Sequence, residues 1–189
     1  MDNLFEAKVI KYFKRAILKE DKEGIDYFLR WDDKEVWSTG DLIKAQFKNR
    51  DDKYQDIPVC RFQPFYGTDN KKTKIGRDYK ALQNNMNEIY LTAVKPDGIN
   101  YTEVLLIKSK KLFEHIIEAE AEWFGNDEPW AYFDTKLCDK TTRWDKKLKT
   151  AKNGVQAWFK RTRTEKAAKI NLYVPRQYAE EVFVIKPKV

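Results

Sequence analysis

Between Ile43 and Lys48 the side chains change character at every step, with Ile43, Ala45 and Phe47 on one parity and the polar pair Gln46 and Lys48 on the other. A repeat of two is the repeat of a β-strand, so Gln46 and Lys48 project from one face while the apolar residues point to the opposite one. The segment therefore commits this part of the chain to a sheet. Upstream, residues 25 to 31 read as a second strand, with Ile25, Tyr27, Leu29 and Trp31 on one face and Asp26, Phe28 and Arg30 on the other. Asp32-Asp33-Lys34-Glu35 makes a polar turn, Val36 and Trp37 open a return strand, and Ser38-Thr39-Gly40-Asp41 makes a second turn. A meander of this kind brings Asp26 close to Gln46. Asp41, beside a turn glycine and out of parity with Gln46, is read as turn-forming.

An acid, an amide and a lysine gathered in this way suit phosphodiester hydrolysis, which needs a hard cation to neutralise charge and a positioned water to attack phosphorus. Mg²⁺ takes oxygen ligands and keeps several waters, and Mn²⁺ is a second candidate. Asp26 would supply a carboxylate, Gln46 its amide oxygen and Phe47 its carbonyl. Lys48 would orient or help deprotonate the water, more readily if desolvation lowered its pKa.

Gly24-Ile25-Asp26 followed by Gln46-x-Lys48 resembles the PD-(D/E)xK nuclease superfamily, in the Gln-x-Lys variant of Mrr-type restriction endonucleases. The resemblance covers roughly the first hundred residues and implies a restriction endonuclease-like α/β (α+β) core, a mixed central sheet flanked by helices, in the order helix, three-stranded meander, helix, strand. It also implies that Glu6 is an accessory acid. Many nucleases of this superfamily dimerise to cut both strands, which makes a homodimer one candidate assembly. The spelling departs from the family's usual Pro-Asp and Glu-x-Lys, and Gln46 is a neutral ligand where an acid is commoner.

The remaining chain reads as follows. Leu4, Phe5, Val9, Tyr12, Phe13, Ala16 and Ile17 recur at helical spacing, predicting an opening helix over 4–20. Residues 49–76, with Pro58, Pro64 and Gly67, read as an irregular loop suited to clamping a substrate. A short helix over 77–87, a strand over 88–94, a Lys95-Pro96-Asp97-Gly98 turn, a strand over 102–107 and a helix over 110–124 follow. Glu114, Glu118 and Glu122 line one face of that last helix and are read as solvated. Gly125-Asn126-Asp127-Glu128-Pro129 breaks it, which divides the chain into a nuclease-like core over 1–128 and a basic C-terminal extension over 129–189, packed on the core. Ile170–Val174 and Val182–Ile185 return to strand patterns that pack on the core or pair with a partner chain.

Charge separates these two parts. Residues 136–169 hold twelve Lys or Arg against three acids, a local balance of +9, in a chain whose net charge is +7. A regional excess of this kind is the footprint of a nucleic-acid binder. Within it Arg143, Lys146, Lys147, Lys160, Arg161 and Arg163 alternate with Trp144, Trp158 and Phe159, and Arg50 lies just past the Gln-x-Lys strand. Cations would hold phosphates while rings stack on bases. The plainer alternative is a basic solvated helix that buries Trp144 and Trp158.

Several classes are excluded. His115 is the single histidine, so no two-histidine phosphotransfer or histidine–metal nuclease motif exists. Cys60 and Cys138 are too few and too far apart for a zinc site and read as reduced thiols. No apolar run approaches the ~20 residues that span a bilayer, and early charges exclude a signal-peptide core, so a cytoplasmic protein without membrane contact is expected. The functional expectation is a Mg²⁺-dependent DNA endonuclease using Asp26, Gln46, Lys48 and Glu6. Its alternative is a catalytically inactive nucleic-acid-binding or partner-binding protein on the same scaffold.

Overall fold

Ile57 and Val59, Ala157 and Phe159, and Ile170, Leu172 and Val174 are each at or below 6% exposure, every second residue along their segments. That is how strands with one buried face are written. The computed structural model describes residues 15–18, 27–30, 43–50, 56–64, 73–95, 101–125, 144–161 and 168–184. Within them the strands are β1 (Arg15–Leu18), β2 (Tyr27–Arg30), β3 (Ile43–Arg50), β4 (Ile57–Pro64), β5 (Thr73–Ile75), β6 (Ile89–Val94), β7 (Glu103–Lys108), β8 (Trp144–Thr150), β9 (Gln156–Arg161), β10 (Ala168–Val174) and β11 (Glu181–Val184). Helix α1 (Arg77–Gln83) precedes β6 and helix α2 (Ser109–Phe124) follows β7. A 3₁₀ turn covers Arg176–Tyr178.

These elements make a mixed α+β fold with two sheets. The first has the order β1-β2-β3-β6-β7-β11 and is antiparallel except for β3 and β6, which run parallel. Parallel neighbours need a long crossover, and this one carries β4, β5 and α1. The second sheet, β5-β4-β10-β9-β8, is antiparallel throughout. Both sheets are built from residues on either side of position 129.

Tyr90, Val94, Leu105 and Ile107 of the first sheet meet Ile57, Val59, Phe159 and Leu172 of the second, together with Tyr79 and Leu82 of α1 and Leu112, Ile116 and Ala119 of α2. All six residues of β6 are buried, so both faces of the first sheet are covered at its centre. Helix α2 turns its apolar stripe to this core and leaves Glu114, Glu118 and Glu122 exposed, as their spacing predicts. Its end is marked by Gly125 at φ +65°, a conformation that disfavours residues with a Cβ.

Three local expectations are corrected. Arg15–Leu18, assigned to an opening helix, is a strand paired antiparallel with β2, Ala16 facing Leu29 and Ile17 facing Phe28; a long-range partner overrides local helical spacing. Residues 57–64 and 73–75, read as loop, are strands. Pro58 is tolerated because β5 pairs only with the far end of β4 and the Pro58 carbonyl accepts the Tyr90 hydroxyl at 2.6 Å. A strand residue's N and C=O point the same way, so the missing N–H of Pro58 falls outside the ladder with β10. The basic stretch over 144–161 forms strands, which overturns the basic-helix alternative. A second sheet was not foreseen.

Candidate functional site

The parallel ladder sets Gln46 beside Tyr90 and Lys48 beside Thr92. Adjacent pairs share a face, so these four side chains turn towards the side where β4 and α1 lie. Ala45 and Phe47 take the other parity, as the alternation predicts. Gln46 is 2% exposed, whereas the Lys48 side chain keeps 31% exposure.

Lys48 Nζ lies 2.7 Å from Asp78 Oδ1, and the Asp78 side chain is 11% exposed. Asp78 stands in the first turn of α1, where a carboxylate also complements the helix dipole. Its other oxygen accepts a long 3.4 Å bond from the Cys60 N–H. Gly76, just before α1, makes this approach feasible: its N–H donates to the Arg61 carbonyl at 3.0 Å, and a Cβ there would overlap the Cys60 carbonyl. Sequence reasoning missed Asp78 because its role depends on how α1 docks on β4.

Burial, reinforced by the Asp78 charge, pushes the Cys60 thiol up to about 11, while Lys169 and Lys48 pull weakly the other way. The thiol therefore stays protonated at neutral pH and donates to the Phe62 carbonyl at 3.4 Å. One side of the cluster is braced by Arg61, whose guanidinium lies 3.8 Å from the Tyr79 ring centre and whose Nε donates to Glu120 Oε1 at 2.7 Å. Tyr79 donates to Glu120 Oε2, also at 2.7 Å. This network ties β4, α1 and α2 together behind Lys48 and Asp78.

Gln46 and Lys48 thus share a face with Thr92, and Lys48 meets Asp78, while Phe47 turns to the opposite face. Asp26 and Glu6 lie outside the described residues. Arg50, Lys146, Lys160 and Arg161 are placed by their strands, Lys147 is exposed on β8, and Arg143 and Arg163 lie outside the described residues. His115 packs against Tyr178 with ring centres 3.8 Å apart and takes no part in the cluster.

Among the described residues no three His, Cys, Asp or Glu side chains come together to hold a metal. The donors beside Lys48 are oxygens, which suits a hard cation rather than a soft one. Thr92 Oγ1 is buried with no hydrogen-bond partner among the described residues, the condition in which a polar atom commonly takes a water or an ion. The described carboxylate of the cluster, Asp78, is paired with Lys48. Among the described residues no helix is long and apolar enough to cross a membrane. Compared with known proteins, the chain matches no family model, no curated protein and no solved structure.

Proposed function

We propose that this chain is a Mg²⁺-dependent DNA endonuclease on a restriction endonuclease-like core. The observation that carries the reading is the position of β3. It bears Gln46 and Lys48 on one face, follows the antiparallel strands β1 and β2, and is joined through a crossover containing α1 to the parallel strand β6. The Gln-x-Lys resemblance implies helix, three-stranded meander, helix, strand. Strand β1 lies within the span expected for the opening helix, and β4 and β5 intervene before α1, so the agreement is confined to β2, β3 and the later step from α1 to β6. Asp26 directly precedes Tyr27, and Tyr27 is paired with Ala45, the residue before Gln46.

Mg²⁺ would supply charge neutralisation and a polarised water. On this reading Asp26, Gln46 and the Phe47 carbonyl hold the ion and Glu6 assists. Lys48 donates to the water or to a phosphate oxygen, and Asp78 fixes where its ammonium stands. The cations around 143–163 hold the DNA backbone. A second reading, an inactive nucleic-acid-binding scaffold, is favoured by the same ion pair, since Asp78 already occupies Lys48 and Gln46 is deeply buried.

Incubating the protein with supercoiled, linear, single-stranded and four-way-junction DNA in Mg²⁺, Mn²⁺ or EDTA decides between them. Cleavage that requires metal and disappears in Asp26→Ala and Lys48→Ala supports the enzyme. Retention of DNA without cleavage in either metal supports the inactive scaffold.

A further inference from the structure

The second sheet sets an aromatic ring among cations on the face turned away from the core. Ala157, Phe159, Ile170, Leu172 and Val174 point inward, so the alternate residues of β9 and β10 point outward. Register then defines a row across four strands: Lys147 faces Trp158, Trp158 faces Asn171, and Asn171 faces Cys60. At ~4.8 Å between strands the row is about 14 Å long. Lys147 is exposed, and Trp158, Asn171 and Lys169 are partly exposed. Tyr173, at 4% exposure, closes the face on one side. The indole N–H donates to Gln156 Oε1 at 2.9 Å, two residues back on the same face of β9.

Beyond Asn171 the row reaches Cys60, whose N–H points to Asp78, the partner of Lys48. Through that bond the row on the second sheet ends near the Lys48–Asp78 pair, with Lys147 at its other end.

We infer that the outer face of β8, β9 and β10 is a single-stranded nucleic-acid track, with Trp158 stacking on a base, Lys147 and Lys169 holding phosphates, and the strand leading towards Lys48. The inference rests on the nucleic-acid part of the function proposed above and not on its metal chemistry. Charge complementarity selects the ligand, because Lys147 and Lys169 stand on this face within a sequence region whose balance is +9. Geometry selects a single strand. An aromatic ring on a sheet face can stack only on a base that is itself unstacked, whereas reading the bases of a duplex requires an element that enters a groove. Helix α2 is unsuited to that, since its exposed face carries Glu114, Glu118 and Glu122.

Fluorescence anisotropy with labelled dT20, rU20 and a 20-base-pair duplex, in EDTA so that no cleavage intervenes, tests the inference on the full chain. Tighter binding of dT20 or rU20 than of the duplex is expected. Trp158→Ala should weaken single-strand binding by about 5- to 150-fold and leave duplex binding nearly unchanged, while Trp158→Phe, which keeps a ring, should restore most of the affinity. Lys147→Gln, at an exposed position that folding does not need, should reduce the salt slope by about 0.7. Duplex binding as tight as single-strand binding overturns the inference, as does an unchanged Trp158→Ala protein whose circular dichroism matches the parent. Failure to retain any of the three ligands at low salt overturns the inference together with the nucleic-acid reading beneath it, and leaves a metal-dependent hydrolase to be sought on other phosphodiesters.

Discussion

Asp78 holds two neighbours in opposite ways. It attracts the Lys48 ammonium at 2.7 Å, and its charge, second to burial, keeps the Cys60 proton on. Asp78→Asn should therefore bring the thiol down from about 11 without returning it to the ordinary value of 9.0, because burial is the larger cause. The pH profile of iodoacetamide labelling, in a Cys138→Ser background, measures this directly. Asp78→Ala should also cost about 1–2 kcal/mol of stability by stranding a partly buried ammonium, to be read by thermal melting. If the chain is a nuclease, Lys48→Ala should reduce cleavage at least ~100-fold while DNA retention persists. The shared face of Gln46 and Lys48 was legible in sequence because a strand's alternation is local. Asp78 was not legible, since thirty positions and a helix docking separate it from Lys48.

At the scale of elements, α1 and α2 are positioned by contacts that their own sequences do not announce. Gly76 lets α1 settle against β4, and Gly76→Ala should destabilise the fold by about 1–3 kcal/mol, with a matching drop in melting temperature. At the start of α2 no side chain of the helix caps it; instead Glu180 accepts the Lys108 N–H at 2.7 Å and pairs with Lys111 at 2.9 Å. Burial opposes the Glu180 charge, but these bonds outweigh it and hold its carboxyl below the usual range. A carboxylate lowered on folding stabilises the protein above its unfolded pKa and ceases to do so as pH falls through the folded one. Glu180→Gln should accordingly lose about 1 kcal/mol at pH 7, a difference that vanishes in melts run below the carboxylate range. Helix α2 and strands β6 and β7 were readable because their apolar repeats are long and their breaks sharp. Strand β4 was hidden by Pro58 and Pro64, whose acceptability depends on which edge of the strand lacks a partner, a fact about the sheet rather than about the segment.

For the whole molecule, the connection between the sheets matters more than either sheet alone. Strand β10 lies between β4 and β9, and β11 closes the first sheet on β7. Removing residues 168–184 should therefore abolish cooperative unfolding instead of trimming an appendage, as near-ultraviolet circular dichroism during denaturation would report. The same wiring governs how the protein comes into being. Pairs such as Leu172 with Val59 and Val182 with Leu105 join residues far apart along the chain, and distant pairing is paid for in loop entropy before any contact rewards it. Refolding should fall in the slow range of β-rich domains, about milliseconds to seconds. While the polypeptide is being synthesised, β4 and β7 keep open edges until β10 and β11 follow them, and an unpaired strand edge is the surface through which a nascent chain is exposed to mispairing.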